Sequence, residues 1–438
     1  MKYLFVACLL CLSVLSAVAK VPAMNKIRLT NNWEYLKGDL GGIWEAVRPA
    51  APGSSEAVPI WQPVTLPHCF NAEDAVDPDV NYYEGPGWYK TLLAIDNPYR
   101  NGRIVLDFDG AGQKTDVYVY TTHVGSHVGG YDSWNVDITD AVKAFLGSKD
   151  AERFKGKVPL SIRCDNSRDL EMIPSDLADF NIYGGLYRYL NLVYLPEVSF
   201  EQIHLESSLS SNLKEGILKV KTSFYNPEDI RKADVTVSVY DVDRKPVFSK
   251  TLEGILPLGD QLLAKMKIKN PVLWDVDVPQ LYTCELTVKT PDQTFTTEER
   301  FGFRHTEFKD KGPFFLNGKR LLLRGTHRHE DHAGVAQAMT EDMMRREMRM
   351  MKDMGVNFIR LGHYQQSEII LDLCDELGIL VWEEIPWCRG GLGGDVYKKQ
   401  ARRMLANMIV QHHNHPAVII WGLGNENDWP NDFPEFEQ

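Results

Sequence analysis

Apolar and polar positions divide the chain into two regimes. Over residues 88–95, 104–108, 116–120 and 189–195, short β-rich runs are separated by turn-formers such as Asp96-Asn97-Pro98 and Gly110-Ala111-Gly112. That spacing predicts a jelly-roll β-sandwich over residues 20–197. Val235, Val237 and Val239 then alternate with polar neighbours, and residues 281–288 read alike. Alternation of period two marks strands with one buried face, so residues 198–304 are expected to form an immunoglobulin-like sandwich.

The pattern changes near residue 315. Leu321-Leu322-Leu323 is a short apolar run and reads as a strand. A helix is expected over 341–354, with Met344, Met348 and Met351 on one face. A strand is expected over 357–361, then a helix on which Ile370, Leu373, Cys374 and Leu377 recur at i, i+3, i+4 and i+7. An apolar run over 379–382 follows. A third helix has Leu405, Met408, Ile409 and His412 facing one way, and a fourth strand covers 418–421. Strands alternating with helices over short links mean parallel βα units. Four such strands fit either an open doubly wound sheet or the first half of a (β/α)8 barrel, assigned here to residues 305–438.

Composition narrows the functions. The 438 residues are 44% hydrophobic and 25% charged with a net charge of −12. The chain can build two to four cores. Its acidity argues against nucleic acid and anionic membranes as partners. Lys2, the apolar stretch over residues 4–18 and Ala17-Val18-Ala19 read as a secretory signal cleaved near Ala19, which predicts a secreted or periplasmic protein. Cys69, Cys164, Cys284, Cys374 and Cys388 remain after it. They are odd in number and scattered, so they read as buried small hydrophobes rather than a disulfide framework or zinc site.

Polar residues collect at the four strand ends. The first offers His327, Arg328, His329, Glu330, Asp331 and His332. The second offers Arg360, His363 and Tyr364, the third Glu383 and Glu384, and the fourth Asn425, Glu426, Asn427 and Asp428. In a parallel barrel these ends share one rim, where active sites are built. A rim carboxylate can act as acid or base, and glycosidases need two of them. Glu426, after Gly422-Leu423-Gly424 and beside Trp421 as a stacking face, is the strongest candidate. Glu383, one of a strand-end pair, fits either a site carboxylate or an outward-facing solvated residue. His327-x-His329 also fits a metal-dependent hydrolase holding zinc.

A series of motifs resembles glycoside hydrolase family 2, the family of β-galactosidases, β-glucuronidases and β-mannosidases. They include Gly129-Gly130-Tyr131, Gly184-Gly185-Leu186-Tyr187-Arg188, Asn270-Pro271-Val272-Leu273-Trp274, Phe301-Gly302-Phe303-Arg304, Arg328-His329-Glu330, His363-Tyr364, Asn414-His415-Pro416 and Ile420-Trp421-Gly422-Leu423-Gly424-Asn425-Glu426. The resemblance implies a jelly roll, an immunoglobulin-like domain and a TIM barrel in that order. It also implies retaining chemistry, with Glu426 as general acid/base and a nucleophilic Glu on a seventh strand. It makes Asn425 a partner of the sugar 2-hydroxyl, His329 and His363 sugar contacts, Arg360 the residue orienting the nucleophile, and Asp179 an acidic group reaching from the first domain. Glu384 and Trp421 complete the expected sugar-binding set.

No seventh strand follows Glu426, so the expectation is that the nucleophile is absent, that the chain is a truncated product or fragment, and that it is inactive alone. No cofactor and no essential divalent metal are expected. The expected partner is a glycoside or oligosaccharide, with self-association left open. The leading reading is an exo-acting β-galactosidase type, with β-glucuronidase and then β-mannosidase behind it. A non-catalytic carbohydrate-binding protein and a metal-dependent hydrolase are the readings from other classes.

Overall fold

A computed structural model describes residues 26–49, 59–169, 171–174, 178–227, 232–389 and 394–427. The signal-like leader and Asp428 lie outside them. The first sandwich packs a four-stranded sheet (Lys26–Arg28, Leu190–Leu195, Arg103–Phe108, Trp134–Asp137 in spatial order) on a six-stranded one (Gln62–Val64, Trp33–Lys37, Pro86–Leu93, Val158–Asp165, Lys114–Val119, Thr122–Val128). Its strands pair antiparallel, and Trp33, Tyr89, Phe108, Leu160 and Ile162 fill the space between the sheets. The second sandwich packs Ser199–Leu209, Glu215–Tyr225 and Gly259–Lys269 against Pro246–Ile255, Ala233–Tyr240, Tyr282–Lys289 and Thr294–Phe301. Val235, Val237 and Val239 are wholly buried there while Asp234 is exposed, as alternation requires.

A small antiparallel sheet of Thr306–Phe308, Phe314–Leu316 and Lys319–Arg320 leads into the third region. There Gly325–Arg328, Phe358–Leu361, Leu380–Glu384 and Val418–Gly422 pair in parallel and in chain order. Helices Glu341–Asp353, Glu368–Leu377 and Asp395–His412 connect them. Thr340 caps the first by accepting from the Met343 amide. Gly378 ends the second in the left-handed conformation.

Two expectations change. The first barrel strand is Gly325–Arg328, not the Leu321-Leu322-Leu323 run. That run joins the small sheet to the barrel, and Leu322 is exposed. Apolarity alone misled, because an interior-facing barrel strand near a polar site carries His327 where a core strand would carry leucine. On the third helix the buried residues are Tyr397, Ala401, Met404, Asn407, Met408, Gln411 and His412, whereas Leu405 and Ile409 are only half-buried. The five described cysteines are free and buried.

The immunoglobulin-like domain grips the turn before the fourth barrel strand. Arg304 donates to the carbonyls of Pro416 and Val418, and Asn414 exchanges bonds with Leu205 and Ile203. Inside that turn His415 Nδ1 lies 2.7 Å from Asp375, whose other oxygen accepts from the Ala417 amide at 2.9 Å. Burial opposes charge on His415, but the Asp375 carboxylate outweighs it and raises its pKa to about 9. A raised pKa means that the stabilisation is complete below the unfolded value of about 6.5 and is lost as pH rises through about 9. Urea unfolding should therefore show His415→Gln less stable by up to about 3 kcal/mol at pH 6. The gap should narrow steadily by pH 10; a gap that is the same at both pH values would contradict the ion pair.

Candidate active site

Register decides which side chains reach the site. His327, Arg360, Trp382 and Ile420 form one row across the four parallel strands. The next row is Arg328, Leu361, Glu383 and Trp421. Successive side chains point to opposite faces, so these rows face opposite ways. The first row faces the barrel interior. The second faces the helices, where Leu361 is core and Arg328 pairs with Glu347.

This parity corrects one expectation and decides one left open. Trp421 packs on the helix-side core beside Met404 and Met408, so it offers no stacking face to a sugar at the rim. Glu383 is neither solvated nor at the site. It is fully buried and pairs with His412 at 2.8 Å. Trp382 is the interior indole, and the Arg360 guanidinium lies 5.0 Å from its ring centroid.

The interior row carries a connected polar network. Arg360 donates through Nε and Nη2 to the Glu384 carboxylate at 2.9–3.1 Å, and through Nη2 to Asn425 Oδ1 at 2.9 Å. His363 Nδ1 lies 2.6 Å from Glu384 Oε1. Glu384 has no exposed surface, so it is a support beneath Arg360 and His363 rather than a direct sugar contact. Its two oxygens fix the groups that remain partly open.

Glu426 follows the fourth strand in an irregular backbone. At Gly424, with φ of 152°, a Cβ would sit 2.6 Å from the Trp387 carbonyl. That close approach lets the Asn425 amide donate to Trp387 O at 2.8 Å and Asn425 O accept from the Arg389 amide at 3.1 Å. The segment 387–389 thus clamps Asn425 while the Glu426 side chain stays 55% exposed. Its Oε2 lies 2.6 Å from Arg389 Nε. Arg389 also meets Asp179, at 3.3 Å, and the Cys388 thiol donates to Asp179 at 3.2 Å. Burial pushes the Asp179 carboxyl up, but the Cys388 bond and the Arg389 charge outweigh it, leaving its pKa below the ordinary value.

His329 stands beside this network. Its Nδ1 lies 3.3 Å from Tyr364 Oη, and the Phe180 ring approaches its ring at 5.8 Å between centroids. Burial, reinforced by His327 and His363, lowers the His329 pKa to about 4, so its imidazole is neutral. The structure therefore gathers Arg360, His363, Glu384 and Asn425 in one hydrogen-bonded group, and Glu426 and Asp179 around Arg389. Sequence reasoning missed Arg389 and Phe180. Both lie in irregular segments, where no periodicity aims a side chain; their adjacency to Cys388 and Asp179 was the only cue.

Among the described residues, two groups of donors could hold a metal ion: His327, His329 and His363, and Asp372, Asp375 and His415. The second is committed to the turn, through the Ala417 amide, and to Arg300, which donates to Asp372.

Family models for glycosyl hydrolases family 2 match three stretches in succession. The sugar binding domain matches residues 40–196, the family's second model residues 198–304, and its TIM barrel domain residues 307–437. The chain belongs to glycosyl hydrolase family 2. Similar family members include a protein named putative β-glucuronidase from Formosa agariphila, 39% identical over 93% of this chain and 47% of its own length. Another is the β-glucuronidase of Bacteroides fragilis, 32% identical over 83% of this chain and 53% of its own length. Among solved structures, Parabacteroides merdae β-glucuronidase with glycerol in its active site superposes with a TM-score of 0.93 and 99% identity, covering 96% of this chain and 53% of that one. The chain thus spans about half the length of the relatives it matches.

The rim of this family 2 chain hangs on one buried ion pair. Arg188 of the first sandwich donates Nε and Nη2 to Glu330 at 3.0 and 2.7 Å, and both side chains are almost wholly buried. Arg188→Met should leave the Glu330 charge buried and unpaired, costing about 3–5 kcal/mol in denaturant unfolding. A double change to Met and Leu should recover much of that. A single variant within about 1 kcal/mol of the parent would show the pair to be dispensable.

Proposed function

We propose that this rim is the acid/base and sugar-binding part of a retaining exo-β-glycosidase site that acts on terminal β-linked uronic acids. The carrying observation is the Asn425-Glu426 pair at the end of the fourth strand, with Asn425 fixed from two sides and Glu426 left open. Glu426 protonates the departing glycosidic oxygen and then takes a proton from the attacking water. Asn425, oriented by Arg360, faces the sugar beside the reacting carbon, and His329 and His363 bind its hydroxyls. The neutral state of His329 suits that role, because one ring nitrogen donates and the other accepts.

Retention needs a second carboxylate about 5 Å from the acid. Glu384 does not fit, since it is closed to solvent and its oxygens are taken by Arg360 and His363. Asp179 is held by Cys388 and Arg389. The proposal therefore assigns acid/base catalysis and sugar binding to these residues and gives none of them the nucleophile's role.

The expected β-galactosidase type gives way to its runner-up. The relatives described above carry the name β-glucuronidase, and uronide specificity is proposed on that support. Export from the cytoplasm belongs to the same proposal and rests on the leader-like N-terminus. No helix among the described residues is long and apolar enough to cross a membrane.

In a catalytically competent protein bearing this rim and a nucleophile, Glu426→Gln should lower kcat/KM for an alkyl β-glucuronide by about 10²–10⁴. The loss on a 4-nitrophenyl β-glucuronide, whose leaving group needs little protonation, should be much smaller in the glycosylation step. Equal losses on both would remove Glu426 from the acid role. A parent enzyme that favours 4-nitrophenyl β-galactoside over the glucuronide would overturn the substrate class.

A further inference from the structure

Three histidines converge on the interior face of the rim, and sugar binding does not require all of them. His327 lies on the first strand, His329 just past its end, and His363 just past the end of the second. One ring nitrogen from each lies within 4.8 Å of the other two. The rings meet at centroid distances of 4.7–5.2 Å. Gly362 makes the approach of His327 possible: a Cβ there would sit 2.6 Å from its Nε2.

We propose that His327, His329 and His363 form a binding site for a transition-metal dication of the zinc class. Nitrogen ligands around such an ion stand about 3.3 Å apart when each bond is about 2.0–2.1 Å. Ring shifts of about 1 Å therefore close the set. The surrounding groups are arranged as metal-bound imidazoles require. Glu384 takes the Nδ1–H of His363 at 2.6 Å, which leaves Nε2 with its lone pair and fixes the ring. A carboxylate behind a ligating histidine raises its basicity and holds its tautomer. Tyr364 Oη lies 3.3 Å from Nδ1 of His329, and the tautomer that donates Nδ1–H to it leaves Nε2 with its lone pair to ligate.

Charge also permits a dication. The Arg360 guanidinium acts on His327 and Arg328 on His329, but Glu384 pairs with the first through both oxygens and Glu347 with the second. Asp179 adds negative field at His327 and His329. An all-imidazole set selects zinc, nickel or copper and disfavours magnesium and calcium, which take oxygen ligands. Three ligands leave a coordination position open.

His329 and His363 are also the proposed sugar contacts, so metal and glycoside would exclude one another. That consequence rests on the glycosidase reading; the metal site itself does not. The test is direct binding to the full chain without substrate. Titration calorimetry with zinc chloride should show one ion per chain, and magnesium chloride should give no saturable heat. Cobalt chloride should develop the visible absorption of low-coordinate cobalt. His327→Asn should weaken zinc at least ten-fold and abolish that absorption, with circular dichroism reporting its fold. X-ray absorption of the zinc-loaded parent should show three nitrogen ligands, a readout that needs no variant. Absence of saturable zinc binding, unchanged affinity in a folded His327→Asn chain, or a sulfur-containing shell would overturn the proposal. Zinc binding without glycosidase inhibition would leave the site standing and count instead against the sugar-contact roles of His329 and His363.

Discussion

The rim depends on a charge that the first domain lends to the barrel. Arg188 reaches out of the jelly roll and is sequestered from solvent at the junction. Besides Glu330, it donates to the carbonyls of Tyr131 and Gln365 at 2.6 and 2.7 Å. Glu330 in turn accepts from the Ser367 amide at 2.6 Å, and its own amide donates to Tyr364 Oη at 2.9 Å. Tyr364 stacks on Tyr131 at 4.3 Å and touches His329. Desolvating such a pair costs nearly what the Coulomb attraction returns, so its net contribution to stability is small. What it supplies is position. The strand ends carrying His329 and His363 cannot shift relative to the first sandwich without unpairing a buried charge.

A second sandwich constrains the other end of the same sheet. Arg304 and Asn414 tie the turn before the fourth strand to the immunoglobulin-like domain, and the His415–Asp375 pair stiffens it internally. Asn425 and Glu426 are the far end of that strand. The two β domains therefore hold opposite edges of the four-stranded sheet, one near His329 and one behind Glu426. Interior polar groups of this kind must be held within a fraction of an ångström to act together, and loops alone do not provide that.

Much of this was legible in the residues. Valine alternation at 235, 237 and 239 marked a two-faced strand, and the structure buries those three side chains completely. The motifs around Arg188, Glu330, His363 and Asn425 proved to be the junction and the rim. What could not be read was parity. A four-residue parallel strand offers too few positions to show which face is which, and both faces of a barrel strand can be polar near a site. Glu383 and Glu384 illustrate it: adjacent identical residues, one bound to His412 among the helices and one to Arg360 inside. Trp421 was read as a rim stacking face for the same reason, whereas Trp382 is the interior indole. Arg389 escaped notice because its contacts with Glu426 and Asp179 depend on loop geometry that no periodicity encodes.

Parity also underlies both proposals made for this one short sheet. Helix-side polar residues (Arg328, Glu383) find partners in Glu347 and His412, which offset much of the cost of their burial, although Glu383 Oε1 has no hydrogen-bond partner. Interior polar residues are only partly satisfied by one another. Glu384 is saturated, whereas Arg360, His327 and Glu426 keep exposed surface. The incomplete satisfaction is what makes the face receptive, since a ligand gains most where polar groups are fixed in place yet still lack partners. For the proposed sugar, the groups are Asn425, His329, His363 and Glu426. For a metal ion they are the imidazoles alone. Both readings draw on the same support, the Glu384 carboxylate, which orients His363 and neutralises Arg360 in a single buried position.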